Sequence, residues 1–354
     1  MNFDKTEIEL LSNITFDIEK WCDVFGKQIL ILDSNNHKSN QEKYLTYCYS
    51  YCKSIALKHY ENFPVSSIIL PSDIRDYVYP IYAFARLGDD ISDECNWLSN
   101  ESKIQKLNII LDNLSSCKDI LLPDVSNKTT TENTPTINNS IITFNPIIVA
   151  LADVIIKFDL DINLFQRLYR AFIYDSDFKS FDTFDDIYNY CNKSANPIGE
   201  ILLNLFGEVK GNNSLQNIEK INLSNNLCTA LQLINFYQDL SIDKLNKRYY
   251  FPKILFENEE EISLFYNNSK LIKQDRLLEI LTSFQKEIDI LLKNSYILPK
   301  LVKNKRFGLE LKLIFSAGNK LYKKSKLLNT DILKTRVKLK KFDYLTIIFN
   351  SIVY

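Results

Sequence analysis

Residues 75–97 form RDYVYPIYAFARLGDDISDECNW, an apolar stretch that ends in a run of acidic side chains. Its apolar residues recur with the period of an α-helix. The same period is found in six further segments: 148–158, 162–174, 197–206, 226–242, 275–296 and 307–324. Prolines fall mostly at the edges of such segments, and alternating strand patterns are nearly absent. We therefore expect an all-α fold.

Composition excludes several classes of function. The 354 residues carry a net charge of -1, so the chain has no overall positive field of the kind that gathers nucleic acid. None of the seven glycines forms GxGxxG or GxxxxGK, which excludes glycine-loop phosphate sites. The two histidines, His37 and His59, are too few for a histidine-based zinc site. A catalytic metal would have to be held by oxygen.

The cysteines and the N-terminus indicate a compartment. Seven cysteines without a CxxC pair are typical of reduced, mostly buried thiols in a cytoplasmic protein. The first residues, MNFDKTEIEL, lack the basic-then-apolar order of a signal peptide. No uncharged apolar run reaches the roughly 18 residues of a membrane span. We expect a cytoplasmic protein.

We expect one all-α domain at 43–345, preceded by an N-terminal extension at 1–42 and followed by a tail at 346–354. The stretch 123–145 is rich in Thr, Asn and Pro and has no period. Such a composition predicts an exposed insertion in the domain.

Positive charge is concentrated at 300–341, where fourteen Lys or Arg residues stand against two acidic residues. One interpretation is an ordinary solvated helix surface. The other is a peripheral membrane contact at the inner face of the membrane, in which each basic residue near anionic headgroups contributes ~1 kcal/mol.

The first acidic motif is Asp89 and Asp93, which are four residues apart and so share one face of a helix, with Arg86 one turn back. Like charges at this spacing oppose helix formation by a few tenths of a kcal/mol. Solvent absorbs that cost at a surface, whereas a pocket requires a cation.

The second motif repeats the pattern 150 residues later. Asn235, Asp239 and Asp243 stand at i, i+4 and i+8 and form a stripe of oxygen ligands. The intervening residues are apolar and predict burial of the other faces: Leu233, Ile234, Phe236, Leu240 and Ile242. The following stretch 247–252, KRYYFP, supplies cationic and phenolic donors.

Pairs of carboxylates with Arg and Tyr nearby suit Mg²⁺, because this ion completes its coordination shell with water and substrate phosphates. Two such helices would clamp a diphosphate and favour its departure. The alternative is a pair of solvated acidic faces. Aromatic residues near the motifs suit a carbocation reaction, although aromatic residues are more often simple core: Phe63, Tyr82, Phe84, Tyr190, Phe236 and Tyr237.

Four segments resemble the squalene/phytoene synthase family of head-to-head prenyl synthases. They are HYENFP at 59–64, YAFARLGDDISDE at 82–94, YCNKSANPIG at 190–199 and the second motif with its tail at 235–252. The resemblance extends from about residue 52 to about residue 345. It implies an isoprenoid-synthase fold with a central cavity and Mg²⁺ on both aspartate motifs.

The resemblance also assigns residues to roles. It places Mg²⁺ on Asp89, Asp93, Asn235, Asp239 and Asp243. The diphosphate would be bound by Arg86, Arg248 and Tyr250. Catalytic positions beside the reacting carbons would be Phe63, Tyr82, Arg86 and Tyr190.

Within the family, 61–64 and 194–199 resemble the bacterial hopanoid branch, the hydroxysqualene synthase type. Condensing members usually carry a Val-Ala-Gly-type sequence in place of 194–197, and an arginine where this chain has Gln238. Both departures favour the hydroxysqualene branch. A further departure is Lys247, which stands where glycine usually precedes the arginine.

The resulting hypothesis is a Mg²⁺-dependent lyase that converts presqualene diphosphate to hydroxysqualene without a reductant. One alternative is a transferase that condenses two allylic diphosphates to presqualene diphosphate, dehydrosqualene or phytoene. A second alternative is a catalytically dead scaffold relative, which should have lost the aspartates that this chain keeps. The expected partners are a prenyl diphosphate substrate and other enzymes of the squalene pathway, with no nucleic acid.

Overall fold

A computed structural model describes residues 3–25, 37–58, 70–121, 144–209 and 214–353. Throughout these residues the chain forms α-helices joined by turns and short 3₁₀ segments, and no β-strand occurs in them. The all-α prediction is confirmed. The chain divides into two compact units, Met1–Asp177 and Phe178–Tyr354.

The first unit contains seven described helices: α1 (Lys5–Leu11), α2 (Ile18–Phe25), α3 (His37–Lys58), α4 (Ser72–Asp93), α5 (Asn100–Leu121), α6 (Pro146–Phe158) and α7 (Ile162–Ser176). Nine described helices belong to the second unit: α8 (Phe184–Ser194), α9 (Asn196–Leu205), α10 (Leu215–Gln238), α11 (Leu240–Asp243), α12 (Glu259–Asn267), α13 (Gln274–Ser295), α14 (Leu298–Leu301), α15 (Lys305–Lys326) and α16 (Lys341–Val353).

Helix α6 is the central element of the first unit, since it contacts α3, α4 and α5 and is apolar almost all round. Asn145 starts it, because its side-chain oxygen accepts a hydrogen bond of 2.9 Å from the backbone N–H of Ile148. The amide nitrogen of the same side chain donates to the carbonyl of Leu11 at 2.8 Å. One buried residue therefore caps the central helix and fixes the end of α1.

Helix α4, which carries the first acidic motif, packs closely on α7 at Gly88. A Cβ at Gly88 would lie 2.4 Å from the ring of Phe172, so no larger residue fits without displacement. The buried Tyr169 hydroxyl donates to the carbonyl of Phe84 at 3.0 Å. This close contact fixes the position of the acidic end of α4.

Helix α10, on whose last turn the second motif begins, is the core of the second unit and contacts α8, α9, α13 and α15. Small residues permit the close approaches: a Cβ at Gly199 would meet Ser224, and one at Gly318 would meet Leu231. The apolar neighbours of the motif are buried, as predicted, with one exception. Ile242 is 37% exposed, whereas Leu240 and Ser241 of the same short helix α11 are buried.

The predicted helical segments correspond to observed helices, with small shifts at their ends. Helix α3 crosses the predicted boundary at 42–43, and α16 crosses the one at 345–346. Of the predicted insertion, 123–143 lie outside the described residues, whereas Phe144 and Asn145 are buried rather than exposed.

The cysteines described by the structure are free thiols, and five are buried: Cys48, Cys52, Cys95, Cys117 and Cys191. This agrees with the prediction of buried thiols. Burial raises the pKa of the Cys117 thiol to about 12, so that thiol stays protonated at neutral pH.

Candidate functional site

The first acidic face lies on α4 and consists of Tyr82, Arg86, Asp89 and Asp93. All four side chains are half-buried, while the residues between them, such as Leu87 and Ile91, are fully buried. The i, i+4, i+7, i+11 spacing places them in one stripe along the helix. The predicted arrangement of one arginine and two aspartates on a single face is therefore present.

Arg86 bridges two carboxylates in this stripe. Its guanidinium lies 3.2 Å from Asp89 and 2.5 Å from Asp90. Asp90 is 1% exposed and also accepts a hydrogen bond of 2.9 Å from the backbone N–H of Phe3. Burial raises the pKa of Asp90, and the Phe3 N–H and Arg86 oppose that shift. Asp90 thus holds the guanidinium beside Asp89.

Neither Asp90 nor Phe3 is among the site residues predicted from the sequence. The spacing of Asp90 from Arg86, i to i+4, is the local signal that could have identified the carboxylate as a partner of the arginine. Phe3 has no comparable signal, because it lies 87 residues from Asp90.

The second acidic face is formed by Asn235, Asp239 and Asp243, all half-buried. The predicted single helix is interrupted here, since α10 ends at Gln238 and α11 begins at Leu240. Asp239 has φ -95° and ψ 7°, yet its backbone N–H still donates to the backbone carbonyl of Asn235 at 2.9 Å. The Asp243 N–H likewise donates to the Asp239 carbonyl at 2.9 Å. The i, i+4 register therefore continues across the break.

Asp239 is held by an arginine that was not predicted from the sequence. Arg336 Nε lies 2.6 Å from Asp239 Oδ1, and its Nη2 lies 3.0 Å from Oδ2, a bidentate ion pair. Burial raises the pKa of Asp239, while Arg336 and then Lys338 act in the opposite direction. Arg336 belongs to the basic stretch 300–341, but nothing in its neighbourhood distinguishes it from the other basic residues there.

Two hydrogen bonds fix the connection that carries Arg336. The side-chain amide of Gln238 donates to the carbonyl of Val337 at 2.6 Å, and Gln238 is fully buried. Lys244 Nζ donates to the carbonyl of Leu333 at 2.7 Å. Gln238, singled out in the sequence because it replaces an arginine, therefore anchors the residue next to Arg336.

An aromatic cluster packs around Phe236, which follows Asn235 on α10. Tyr250 stacks on Phe236 with ring centroids 3.9 Å apart and planes 8° from parallel. Tyr190 lies 6.1 Å from Phe236, and Phe178 packs against Tyr250 at 4.9 Å. Tyr190 and Tyr250 are buried, at 8% and 7% exposure. Tyr190 and Tyr250, two of the residues assigned from the family resemblance, thus belong to one aromatic cluster.

The turn that leads to Arg248 and Tyr250 is tight. Lys247 has a left-handed backbone, with φ 57, and the N–H of Arg248 donates to the carbonyl of Asp243 at 2.9 Å. A glycine adopts this conformation without the steric cost that a Cβ brings. The departure from glycine noted in the sequence therefore falls at a position where it costs energy.

The SANPIG sequence forms the junction of α8 and α9. Pro197 lies in the first turn of α9, and the side chain of Asn196 accepts a hydrogen bond of 3.0 Å from the hydroxyl of Thr229. Asn196 is buried and joins the start of α9 to α10. These residues shape the unit that carries the second acidic face.

The remaining predicted position, Phe63, lies with 59–64 outside the described residues. Tyr82, Arg86, Asp89 and Asp93 belong to the first unit, and the other assigned residues belong to the second. In the part of the chain that the structure describes, no three His, Cys, Asp or Glu side chains gather into a cluster that could hold a metal. Each motif offers at most two carboxylates.

Two curated proteins show sequence similarity to this chain. The phytoene synthase of Mycobacterium tuberculosis is 28% identical over 208 residues, which cover 58% of this chain and 57% of that protein. The hydroxysqualene synthase of Zymomonas mobilis is 30% identical over 200 residues, or 56% of each. The chain thus aligns with little more than half the length of either relative.

A solved structure has the same fold. The squalene synthase HpnC from Alicyclobacillus acidocaldarius superposes with a TM-score of 0.64 at 24% identity, over 80% of this chain and 95% of that one. The squalene/phytoene synthase family model matches residues 56–343, most of the chain, including both acidic motifs. The chain therefore belongs to the squalene/phytoene synthase family.

Proposed function

We propose that the chain converts presqualene diphosphate to hydroxysqualene, with Mg²⁺ as its metal. The observation that carries the proposal is the second acidic face. Asn235, Asp239 and Asp243 present oxygen ligands, Arg336 supplies a cation beside Asp239, and Tyr190 and Tyr250 pack against Phe236 next to Asn235. Similarity to the Zymomonas hydroxysqualene synthase and the SANPIG sequence support this branch of the family.

The donor set fits Mg²⁺. This ion commonly binds one or two carboxylates and takes its other ligands from water and substrate phosphates. Each motif provides that number of carboxylates, and no soft ligand stands in either stripe. We assign Asp89 and Asp93 to one metal-holding motif. The other consists of Asn235, Asp239 and Asp243. When bound, the metal would neutralise charge that develops on the leaving diphosphate.

The basic residues would bind and orient the diphosphate. We assign this role to Arg86, Arg248 and Tyr250, and add Arg336 because its guanidinium already lies against Asp239. In the reaction the bond between carbon and diphosphate oxygen breaks, and both electrons leave with the diphosphate. Fixed cations in a partly desolvated setting stabilise that anion without reorganising.

The aromatic side chains would then face the cation left on the substrate. Tyr190, Phe236 and Tyr250 form a packed cluster that excludes water from its interior, and ring faces attract cations. The cyclopropylcarbinyl cation rearranges, a water molecule adds to the rearranged carbon, and the proton lost from that water passes to solvent. The product is hydroxysqualene, and the reaction consumes no reductant.

Condensation of two allylic diphosphates is the second candidate. It is favoured by the 28% identity to the mycobacterial phytoene synthase, which extends over slightly more residues than the similarity to the hydroxysqualene synthase. The two candidates share the metal and the diphosphate-binding residues. They differ in substrate and product.

The deciding experiment incubates purified protein with Mg²⁺ and no NADPH, with presqualene diphosphate and farnesyl diphosphate in separate tubes, and identifies products by mass spectrometry. Hydroxysqualene from presqualene diphosphate alone is the expected result. Consumption of farnesyl diphosphate would establish the condensing reaction instead. Absence of turnover in both tubes, without Mg²⁺-dependent thermal stabilisation by a diphosphate analogue, would support the scaffold alternative.

Asp239→Asn should abolish turnover while the circular dichroism spectrum stays unchanged, because the substitution keeps shape and removes a charged ligand. Asp331→Asn is the matched control, since Asp331 is an exposed aspartate that also pairs with a basic residue, Lys334. Near-normal activity of Asp239→Asn would refute the role assigned to this carboxylate.

A further inference from the structure

Helix α16 packs on α15 along one side only. Ile347 and Ser351 on that side are 3% and 1% exposed. At the start of α16, Asp343 pairs with Lys324 at 2.5 Å and lies 3.8 Å from Lys320. This contact orients the helix and determines which face is turned away from α15.

The opposite side of α16 is apolar and exposed. Phe342, Leu345, Ile348 and Phe349 are 84%, 66%, 51% and 66% exposed, and we call these four residues the apolar face of α16. Their spacing at i, i+3, i+6 and i+7 places them within about a third of the helix circumference. The described residues leave more than half of each of these residues uncovered. A continuous apolar face of this kind is uncommon on a soluble surface and marks an interaction site.

Positive charge is dense in the sequence that leads into α16. Nine Lys or Arg residues occur from Lys320 to Asp343, against two aspartates. Of these, Lys323 and Lys340 are exposed and form no ion pair with a carboxylate of the described chain. Their charge is therefore available to an anionic partner.

We propose that α16 lies in the interface of an anionic lipid bilayer. The apolar face of α16 would enter the boundary between headgroups and acyl chains, and the exposed lysines would contact lipid phosphates. The helix has 13 residues, fewer than the ~20 needed to cross a bilayer. None of the described helices has the length and hydropathy of a membrane span. The apolar face of α16 contains none of the residues assigned in the proposed function, and the proposal does not depend on that function.

A second copy of the chain fits this surface less well. The exposed apolar area of the four side chains is roughly 500 Å², taking about 200 Å² for a fully exposed large side chain. A stable dimer buries about 800 Å² on each partner. In a symmetric dimer through this face, the same lysines would also meet one another and repel. Anionic lipid has the complementary charge.

The test is co-sedimentation of the full chain with vesicles of phosphatidylglycerol and phosphatidylcholine, compared with vesicles of phosphatidylcholine alone. We expect binding to the anionic vesicles, and weaker binding as the screening length falls from about 10 Å in 0.1 M salt to about 3 Å in 1 M salt. Phe342→Ser/Phe349→Ser should weaken partitioning by about tenfold or more. Lys323→Gln/Lys340→Gln should weaken it by about 25-fold, at about fivefold for each basic residue.

Leu215→Ser is the matched control, because Leu215 is 86% exposed but lies at the start of α10. It should bind as the unmodified chain does. Equal binding of the Phe342→Ser/Phe349→Ser variant would overturn the proposal, and so would equal binding to neutral vesicles. Failure to bind vesicles, together with a dimer that these serines dissociate in size-exclusion chromatography, would assign the face to a second copy.

Discussion

The ion pair between Arg336 and Asp239 gives a quantitative prediction, tested with a double-mutant cycle of Arg336→Gln, Asp239→Asn and both together. Two charges about 4 Å apart attract by ~4 kcal/mol at an effective dielectric constant of 20 and by ~1 kcal/mol in water. The side chains are 34% and 24% exposed, so solvent screening and lost side-chain entropy reduce that value. Because the geometry is bidentate, we expect a coupling of ~1–2 kcal/mol at neutral pH.

The coupling should depend on pH. Burial raises the pKa of Asp239 above its ordinary value, so the folded chain binds that proton more tightly than the unfolded chain does. The Asp239 contribution to stability therefore falls as pH rises from the unfolded pKa through the folded one. The attraction of Arg336 offsets this loss of stability only when Asp239 is charged. Consequently the stability difference between the unmodified chain and Arg336→Gln should shrink as pH falls through the folded pKa.

The measurement is the free energy of unfolding from urea titration, at neutral pH and at a pH below the folded pKa of Asp239. Lys334→Gln is the control, because it removes a nearby charge whose exposed partner is Asp331. A coupling below about 0.3 kcal/mol at neutral pH, within the range where independent sites simply add, would refute the reasoning. So would a coupling that does not change between the two pH values.

Three further predictions concern the scaffold around the acidic faces. Lys247→Gly should raise the free energy of unfolding by ~0.5–1 kcal/mol in urea titrations. Glycine removes the steric cost of the left-handed backbone, and this gain outweighs the added freedom of the unfolded chain. An equal gain in stability from Lys247→Ala would contradict this explanation. Gly88→Ala should lower the free energy of unfolding by ~1–3 kcal/mol, since its Cβ would meet Phe172 at 2.4 Å. The same substitution in a Phe172→Leu background should recover part of that loss. If Gly88→Ala causes no loss of stability, the Phe172 ring moves freely. Gln238→Leu removes the hydrogen bond to Val337 and should speed tryptic cleavage in the connection before α16. An unchanged cleavage rate would show that other contacts hold that connection.

The parts of the candidate site that could be predicted are those with local causes. Helical spacing alone brings Asp89 and Asp93 to one face, and the same rule aligns Asn235, Asp239 and Asp243. The break at Asp239 was not predicted, yet it leaves the alignment intact because the backbone hydrogen bonds continue through it.

The contacts that were missed join distant parts of the chain. Arg336 meets Asp239 across 97 positions, and Phe3 meets Asp90 across 87. No period or spacing in a single sequence encodes such pairings, because they depend on how helices pack in three dimensions. Arg336 is also one of many basic residues in its stretch, so its charge alone could not single it out.

The double role of Asn145 has a consequence for how this chain can change in evolution. Because one buried side chain caps α6 and also binds the carbonyl of Leu11, the point at which the chain re-enters the first unit is fixed. The cost of closing a loop grows only slowly with its length, at ~0.6 kcal/mol for each doubling. The connection between Leu121 and Phe144 can therefore gain or lose residues over generations while the start of α6 stays where it is. Family members should differ more in the length of this connection than in the residue that ends it.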